Sequence, residues 1–155
     1  MSMKKELYPL FIFIIVLCSC GRKEPDPEIG AHNMLSSARM LMAQKNYLAA
    51  KDSILAMREK FPKAFNARTE GIIVLDSIEL LQTQDSLAII DSLLRTEKAY
   101  LNTMEKRTER GTNLEFYKQR TKVFYIEQHF DELCAKVKFY LRKIEIDEKG
   151  DKYEK

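Results

Sequence analysis

Few residues in this 155-residue chain are equipped for chemistry. There are three thiols (Cys18, Cys20, Cys134) and two imidazoles (His32, His129). Neither histidine belongs to a metal-ligand pair such as His-x-x-x-His, so no metal site is expected. Asp-Ser recurs at Asp52-Ser53, Asp76-Ser77, Asp85-Ser86 and Asp91-Ser92. Such a pair is no nucleophile without a histidine to take the proton or a glycine-rich elbow to present the hydroxyl. These pairs read as solvated helix faces or a helix cap. The five glycines are scattered, which leaves no phosphate loop. Nothing singles out two carboxylates for acid–base work. No catalytic residue and no cofactor is therefore assigned, and the chain reads as not an enzyme. Reviving an enzyme class, such as a peptidoglycan hydrolase, would take a buried carboxylate pair in a cleft.

The thiols differ in setting. Cys134 lies among apolar helical positions and reads as a small buried hydrophobe, with a redox or intermolecular role as the alternative. Cys18 and Cys20 close an N-terminal segment built like an export signal: Lys4 and Lys5, then the unbroken apolar run Leu10–Leu17, then small residues. The run is too short for a span, which needs about 20 apolar residues. Leu17-Cys18-Ser19-Cys20 resembles the lipobox of bacterial lipoproteins, although Cys18 is an uncommon occupant of its position. The resemblance covers residues 1–20. It implies cleavage between Ser19 and Cys20, acylation of Cys20 (palmitate among the chains) and attachment to a lipid bilayer, since several chains on one residue exceed what stable anchoring needs. Gly21 stands where that family often uses Asp for inner-membrane retention, so the implied address is the cell envelope, at the outer membrane.

Loss of residues 1–19 would leave one modest domain. Lys4, Lys5 and Glu6 would go with the signal, lowering the formal charge of +3 by one, which is no mandate for nucleic acid. With Cys20 acylated and Cys134 alone, no disulfide framework exists. Residues 20–30 hold Pro25, Pro27, Gly30 and several charges without apolar periodicity, and read as a flexible tether.

Residues 31–64 read as a helix-turn-helix. Met34, Leu35, Ala38, Leu41 and Met42 fall on one face, Gln44-Lys45-Asn46 forms a polar turn, and Tyr47, Ala50, Ile54, Met57 and Phe61 mark a second helix that Pro62 ends. Ala38, Asn46-Tyr47, Ala50 and Pro62 resemble one tetratricopeptide repeat, with Ser37 and Met57 departing from its pattern. The resemblance implies close helix packing at the two alanines. It also extends to the repeats of envelope lipoproteins. The next 34 residues lack the turn and the proline, and a lone repeat cannot form the usual concave peptide groove.

The rest, residues 65–146, reads as a long antiparallel coiled-coil-like hairpin turning near 110–113. From Glu70 to about Glu109, Ile73, Leu80, Leu87, Leu94 and Leu101 recur every seven residues. Ile90 and Met104 fill a second row that Asp76, Thr83 and Glu97 leave incomplete. Thr83-Gln84-Asp85 is expected to kink or break the helix, with Asp85 capping a new start. Gly111 suits a helix end, and Thr112-x-x-Glu115 has capping-box spacing. Phe116, Val123, Phe130, Val137 and Ile144, with Ile126, Leu133 and Tyr140, give the clearest heptads in the chain. A strand over Val137–Ile146 is the alternative there. Residues 147–155 read as a charged, frayed tail.

Charge is segregated. Residues 69–94 hold five acids and no base, while bases outnumber acids over 95–143. Opposite charges flanking a folded-back seam would favour that register; a basic face toward a partner is the alternative. Aromatics interleaved with bases over 116–140 could stack nucleic acid. Several belong to the heptads and export removes the chain from the cytosol, so nucleic acid is not expected as a partner. The chain as a whole reads as all-α: a helical protein–protein adaptor or spacer held at the membrane by Cys20. Its expected partner is another envelope protein or a second copy, contacted around Phe61 and Phe65. Capture of a small ligand or glycan for a transporter, and a self-assembling structural role, are the alternatives.

Overall fold

The computed structural model describes residues 26–107 and 114–150. They form four helices: α1 (Pro27–Ala43), α2 (Tyr47–Lys60), α3 (Phe65–Arg107) and α4 (Leu114–Gly150). The signal segment, the lipobox, the turn near 110–113 and the end of the tail lie outside the described residues. The fold is all-α, a helix-turn-helix followed by a long antiparallel helical hairpin, with no strand among the described residues.

The first helix starts earlier than its apolar spacing suggests. Asp26 is its N-cap, accepting from the Glu28 N–H at 2.9 Å, and Pro27 occupies the first turn, where a missing N–H costs nothing. Residues 27–30, expected in the tether, are therefore helical. Glu28 then reaches across the fold. Its two carboxylate oxygens accept from the Asn66 and Ala67 N–H groups, each at 3.1 Å. Those are orphan donors at the positive end of α3, so one carboxylate answers both the hydrogen-bond deficit and the helix dipole. The Phe61 ring lies over Gly30, so a methyl group there would have to push the ring aside.

Between α1 and α2 the chain turns by a Schellman arrangement. The Asn46 N–H bonds Leu41 O at 2.9 Å and the Lys45 N–H bonds Met42 O at 3.0 Å. Lys45 takes the left-handed position with φ 60°, normally a glycine site. Ala38 and Ala50 are fully buried, as close helix packing requires. They join Ala31, Leu35, Ile54, Met57 and, from α3, Ala67, Val74 and Ile78 in one core. That core lies between the short hairpin and the first half of α3.

Helix α3 is unbroken over 43 residues, about 64 Å. It begins at Phe65, five residues before the expected start, and passes through Thr83-Gln84-Asp85 without a break. Asp85 caps nothing there. It accepts from Lys45 Nζ at 2.8 Å and from Tyr47 Oη at 2.6 Å, so its carboxylate is satisfied without leaving the helix. Helix α4 is helical through Val137–Ile146 and on to Gly150, beyond the expected end at 146. Asp147, assigned to a frayed tail, is half-buried.

The seam of α3 and α4 follows the heptads. Phe116, Val123, Phe130, Val137 and Ile144, with Ile126, Leu133 and Tyr140, are all buried or half-buried. The second row of α3 is complete after all, but three of its five members, Asp76, Thr83 and Glu97, are polar. Asp76 is 3 % exposed and takes Lys143 Nζ at 2.7 Å. Thr83 turns its hydroxyl back to Glu79 O at 2.7 Å. Glu97 accepts from Gln119 Nε2 at 2.7 Å and from Lys122 Nζ at 2.6 Å. Asp76 was expected on a solvated face; it is a seam residue. Pairing Asp76 with Lys143 near one end and Glu97 with Gln119 and Lys122 near the other holds the antiparallel register, since a slip would strand a buried charge.

The segregated charges resolve differently from the expected seam flanks. Of the five acids between residues 69 and 94, only Asp76 pairs with α4. Glu70 pairs with Arg39, Glu79 with Lys51 and Asp85 with Lys45, all from the short hairpin, while Asp91 pairs with Arg95 on its own helix. The acidic half of α3 is thus mainly the docking surface of α1 and α2.

Candidate interaction surfaces

Cys20, with Ser19 before it, lies outside the described residues, and its assignment rests on the lipobox resemblance. Phe61 and Phe65 can be placed. Phe61 is half-buried, its ring over Gly30 and Lys60 Nζ 5.6 Å from the ring centroid. It closes the open end of the α1–α2 hairpin and is a packing residue before it is a contact residue. Phe65, at the first turn of α3, is 71 % exposed. The two do not form one patch through Ala64, which is fully buried between them. Pro62 contributes its carbonyl, which accepts from the Arg68 guanidinium at 2.6 Å.

The chemistry-bearing side chains remain scattered. His32 lies 3.8 Å from Glu28 and His129 lies 3.7 Å from Glu132, each a neighbour on its own helix. Cys134 is half-buried on α4, less enclosed than its apolar neighbours suggest, and is a free thiol. Among the described residues no three His, Cys, Asp or Glu side chains gather where they could hold a metal ion. The one carboxylate buried deep in the seam, Asp76, is held by Lys143, and its Oδ2 has no hydrogen-bond partner among the described residues. No described helix is long and apolar enough to cross a membrane.

The exposed apolar residues form the more informative pattern. Ile89 is 69 % exposed and Tyr100 53 %, with Leu93 also exposed between them on the second half of α3. An open trough of about 530 Å³ runs beside Ala88, Ile89, Ser92, Leu93 and Thr96. A smaller groove of about 250 Å³ lies between α2, α3 and α4, with Lys51, Ser86 and Lys136 in its lining. Heptads could not reveal this face, since Ile89 and Leu93 lie outside the seam. The signal available was a second apolar spacing of three and four superimposed on the first.

Electrostatics ties the parts together at two points. Hydrogen bonds from Lys45 and then Tyr47 hold the Asp85 carboxyl below its ordinary value, and burial opposes them. Hydrogen bonds from Gln119 and then Lys122 do the same for Glu97, again against burial. A carboxyl lowered on folding stabilises the fold above its ordinary value near 4, and that contribution is lost as pH falls through the lower folded value. Melting temperature is therefore expected to hold above about pH 5 and to decline toward pH 3. Thermal melts of the wild type and of an Asp85→Asn, Glu97→Gln variant check this. The variant should be less stable at pH 7 and should show a shallower acid decline; an equally steep decline would assign it to other groups.

Compared with protein families, with curated proteins and with solved structures, the chain finds no match.

Proposed function

We propose that this chain is an envelope lipoprotein, anchored through acylated Cys20, that presents a helical rod as an adaptor or spacer between envelope proteins. The observation that carries the architecture is a hairpin about 64 Å long whose outer faces keep large apolar residues that neither its seam nor its core uses. Such residues on a rod suit helix-to-helix recognition better than small-molecule capture, which calls for an enclosed pocket. Anchoring adds to this by confining the rod to two dimensions, which raises its effective concentration toward neighbours. The short hairpin is read as a single tetratricopeptide-like unit. It serves here to brace the first half of α3 rather than to build a peptide groove. The absence of Asp after Cys20 favours the outer membrane, and the partner is taken to be another envelope protein.

Two outcomes are expected in cells making an affinity-tagged chain. The wild type should incorporate labelled palmitate and partition with membranes, while Cys20→Ala should lose the label and move to the soluble fraction. Crosslinking followed by mass spectrometry should then recover one dominant envelope partner from the wild type, lost in Cys20→Ala. An unlabelled wild type that fractionates like the variant would remove the anchor. Crosslinks only to the chain itself would replace the adaptor reading with a self-assembling one.

A further inference from the structure

One face of α3 carries a single series of spacings of three and four from end to end. Ala67, Gly71, Val74 and Ile78 open the series and are covered by α1 and α2, with Met57 and Ile54 of α2 against Gly71. Gln82 and Asp85 continue it and are held by Lys51, Lys45 and Tyr47. The short hairpin ends there. The series runs on through Ile89, Leu93, Thr96 and Tyr100, all exposed. A helix face that is an intramolecular docking surface for its first half therefore goes on, uncovered, for three more turns. Residues at those spacings stack on one side of a helix, so the second half offers a helix the same orientation as the first.

One edge of that uncovered half is lined by lysines of α4. Ser86, Leu93 and Tyr100, seven apart, form the row of α3 that borders α4. Lys136 lines a groove with Ser86, and Lys122 bonds Glu97 further along. Lys122, His129 and Lys136 are seven apart and thus share one row of α4. An occupant would need an apolar stripe with acidic groups on it. This chain has one. On α2, Leu48, Asp52, Leu55 and Glu59 are spaced four, three and four, and all are exposed, Leu48 at 73 % and Leu55 at 51 %. The stripe alternates leucine with carboxylate and lies on the side of α2 away from its own core.

We infer that a second copy of this chain docks the outer stripe of its α2 on the uncovered half of α3, beside the basic row of α4. The contact is taken as head-to-tail, with each copy giving one surface and keeping the other free for the next copy. Repetition therefore gives a ring or an open array. The apolar residues supply burial, and a carboxylate facing Lys136 sets the orientation, since Lys122 is already paired with Glu97. This goes beyond the adaptor reading by adding a contact between copies to the contact with another protein, and it does not depend on the lipid anchor.

The test uses the full chain in detergent with Cys18, Cys20 and Cys134 all changed to serine, so that attachment at Cys20 plays no part. Leu55→Cys and Leu93→Cys are introduced in separate chains, both at exposed positions, and circular dichroism confirms that each retains its helix content. Under mild oxidation the mixture should give a disulfide-linked dimer between unlike chains, each variant alone should form no disulfide-linked dimer, and the doubly substituted chain should give a disulfide-linked ladder. Adding Asp52→Lys and Glu59→Lys to the Leu55→Cys chain should lower the yield severalfold. Dimers from Leu93→Cys alone would show a symmetric contact and overturn the head-to-tail arrangement. No dimer in the mixture would overturn self-docking, while leaving the Cys20 fractionation result untouched.

Discussion

Ile78→Ala is expected to detach the α1–α2 hairpin from α3 before the long hairpin melts. Ile78 is fully buried and is one of the four largest side chains with no exposure. It belongs to α3 but packs in the core that α3 shares with α1 and α2. Truncation removes transfer energy and leaves a cavity that rigid helices fill only partly, which costs about 3–4 kcal/mol. The short hairpin cannot absorb that loss. Its own elements span 17 and 14 residues, too few to bury a core alone; without Ile78 its apolar attachment falls mainly to Ala67 and Val74, and its ion pairs to α3 are exposed or half-exposed and of small individual worth. The seam of α3 and α4 does not include Ile78, so a second transition should persist near the wild-type temperature. Hydrogen exchange would locate the effect, with amides of residues 27–60 losing protection first. A single cooperative transition lowered uniformly along the chain would mean that the two parts unfold as one.

The second large effect is expected at Lys143. Lys143→Met leaves Asp76 with no cation, at a position 3 % exposed and with one carboxylate oxygen already lacking a partner. Breaking a buried ion pair from one side costs about 3–5 kcal/mol; the half-exposed lysine brings the expectation here to about 2–3 kcal/mol. Asp76→Leu combined with Lys143→Met should recover most of the loss, because leucine suits that seam row and no charge remains to strand. Denaturant melts of the two single variants and the double variant give the coupling directly. Additive losses would show that the pair does not act as a unit. The pair also marks the alkaline side. The hydrogen bond to Asp76 raises the Lys143 ammonium above its ordinary value against a cost from burial. A group raised on folding stabilises the fold below its ordinary value, and that contribution is lost as pH climbs through the raised folded value. The wild type should therefore lose stability above about pH 10, and the double variant less so.

Both effects depend on residues whose role is set far along the chain. The seam of α4 could be read directly, since Phe116 to Ile144 repeats every seven residues and a seven-residue repeat has one side to bury. The short hairpin could be read from Ala38, the polar turn and Pro62. Each of these rests on residues three, four or seven apart, the range over which a sequence reports its own local geometry.

What only the tertiary structure decided involves partners much further away. Asp76 meets Lys143 across 67 positions, Asp85 meets Lys45 across 40, and Glu28 caps α3 across 38. A polar residue in a heptad row looks like a gap until its cation is placed. An Asp after Thr-Gln looks like a cap until a lysine and a tyrosine from another helix satisfy it. A Glu beside two prolines looks like linker until the helix end it serves is brought beside it. Local pattern determined which faces turn inward, because burying an apolar stripe needs no particular partner. Packing decided where the charges went, because a carboxylate removed from water needs a specific donor within hydrogen-bond reach, and only the folded chain brings one there.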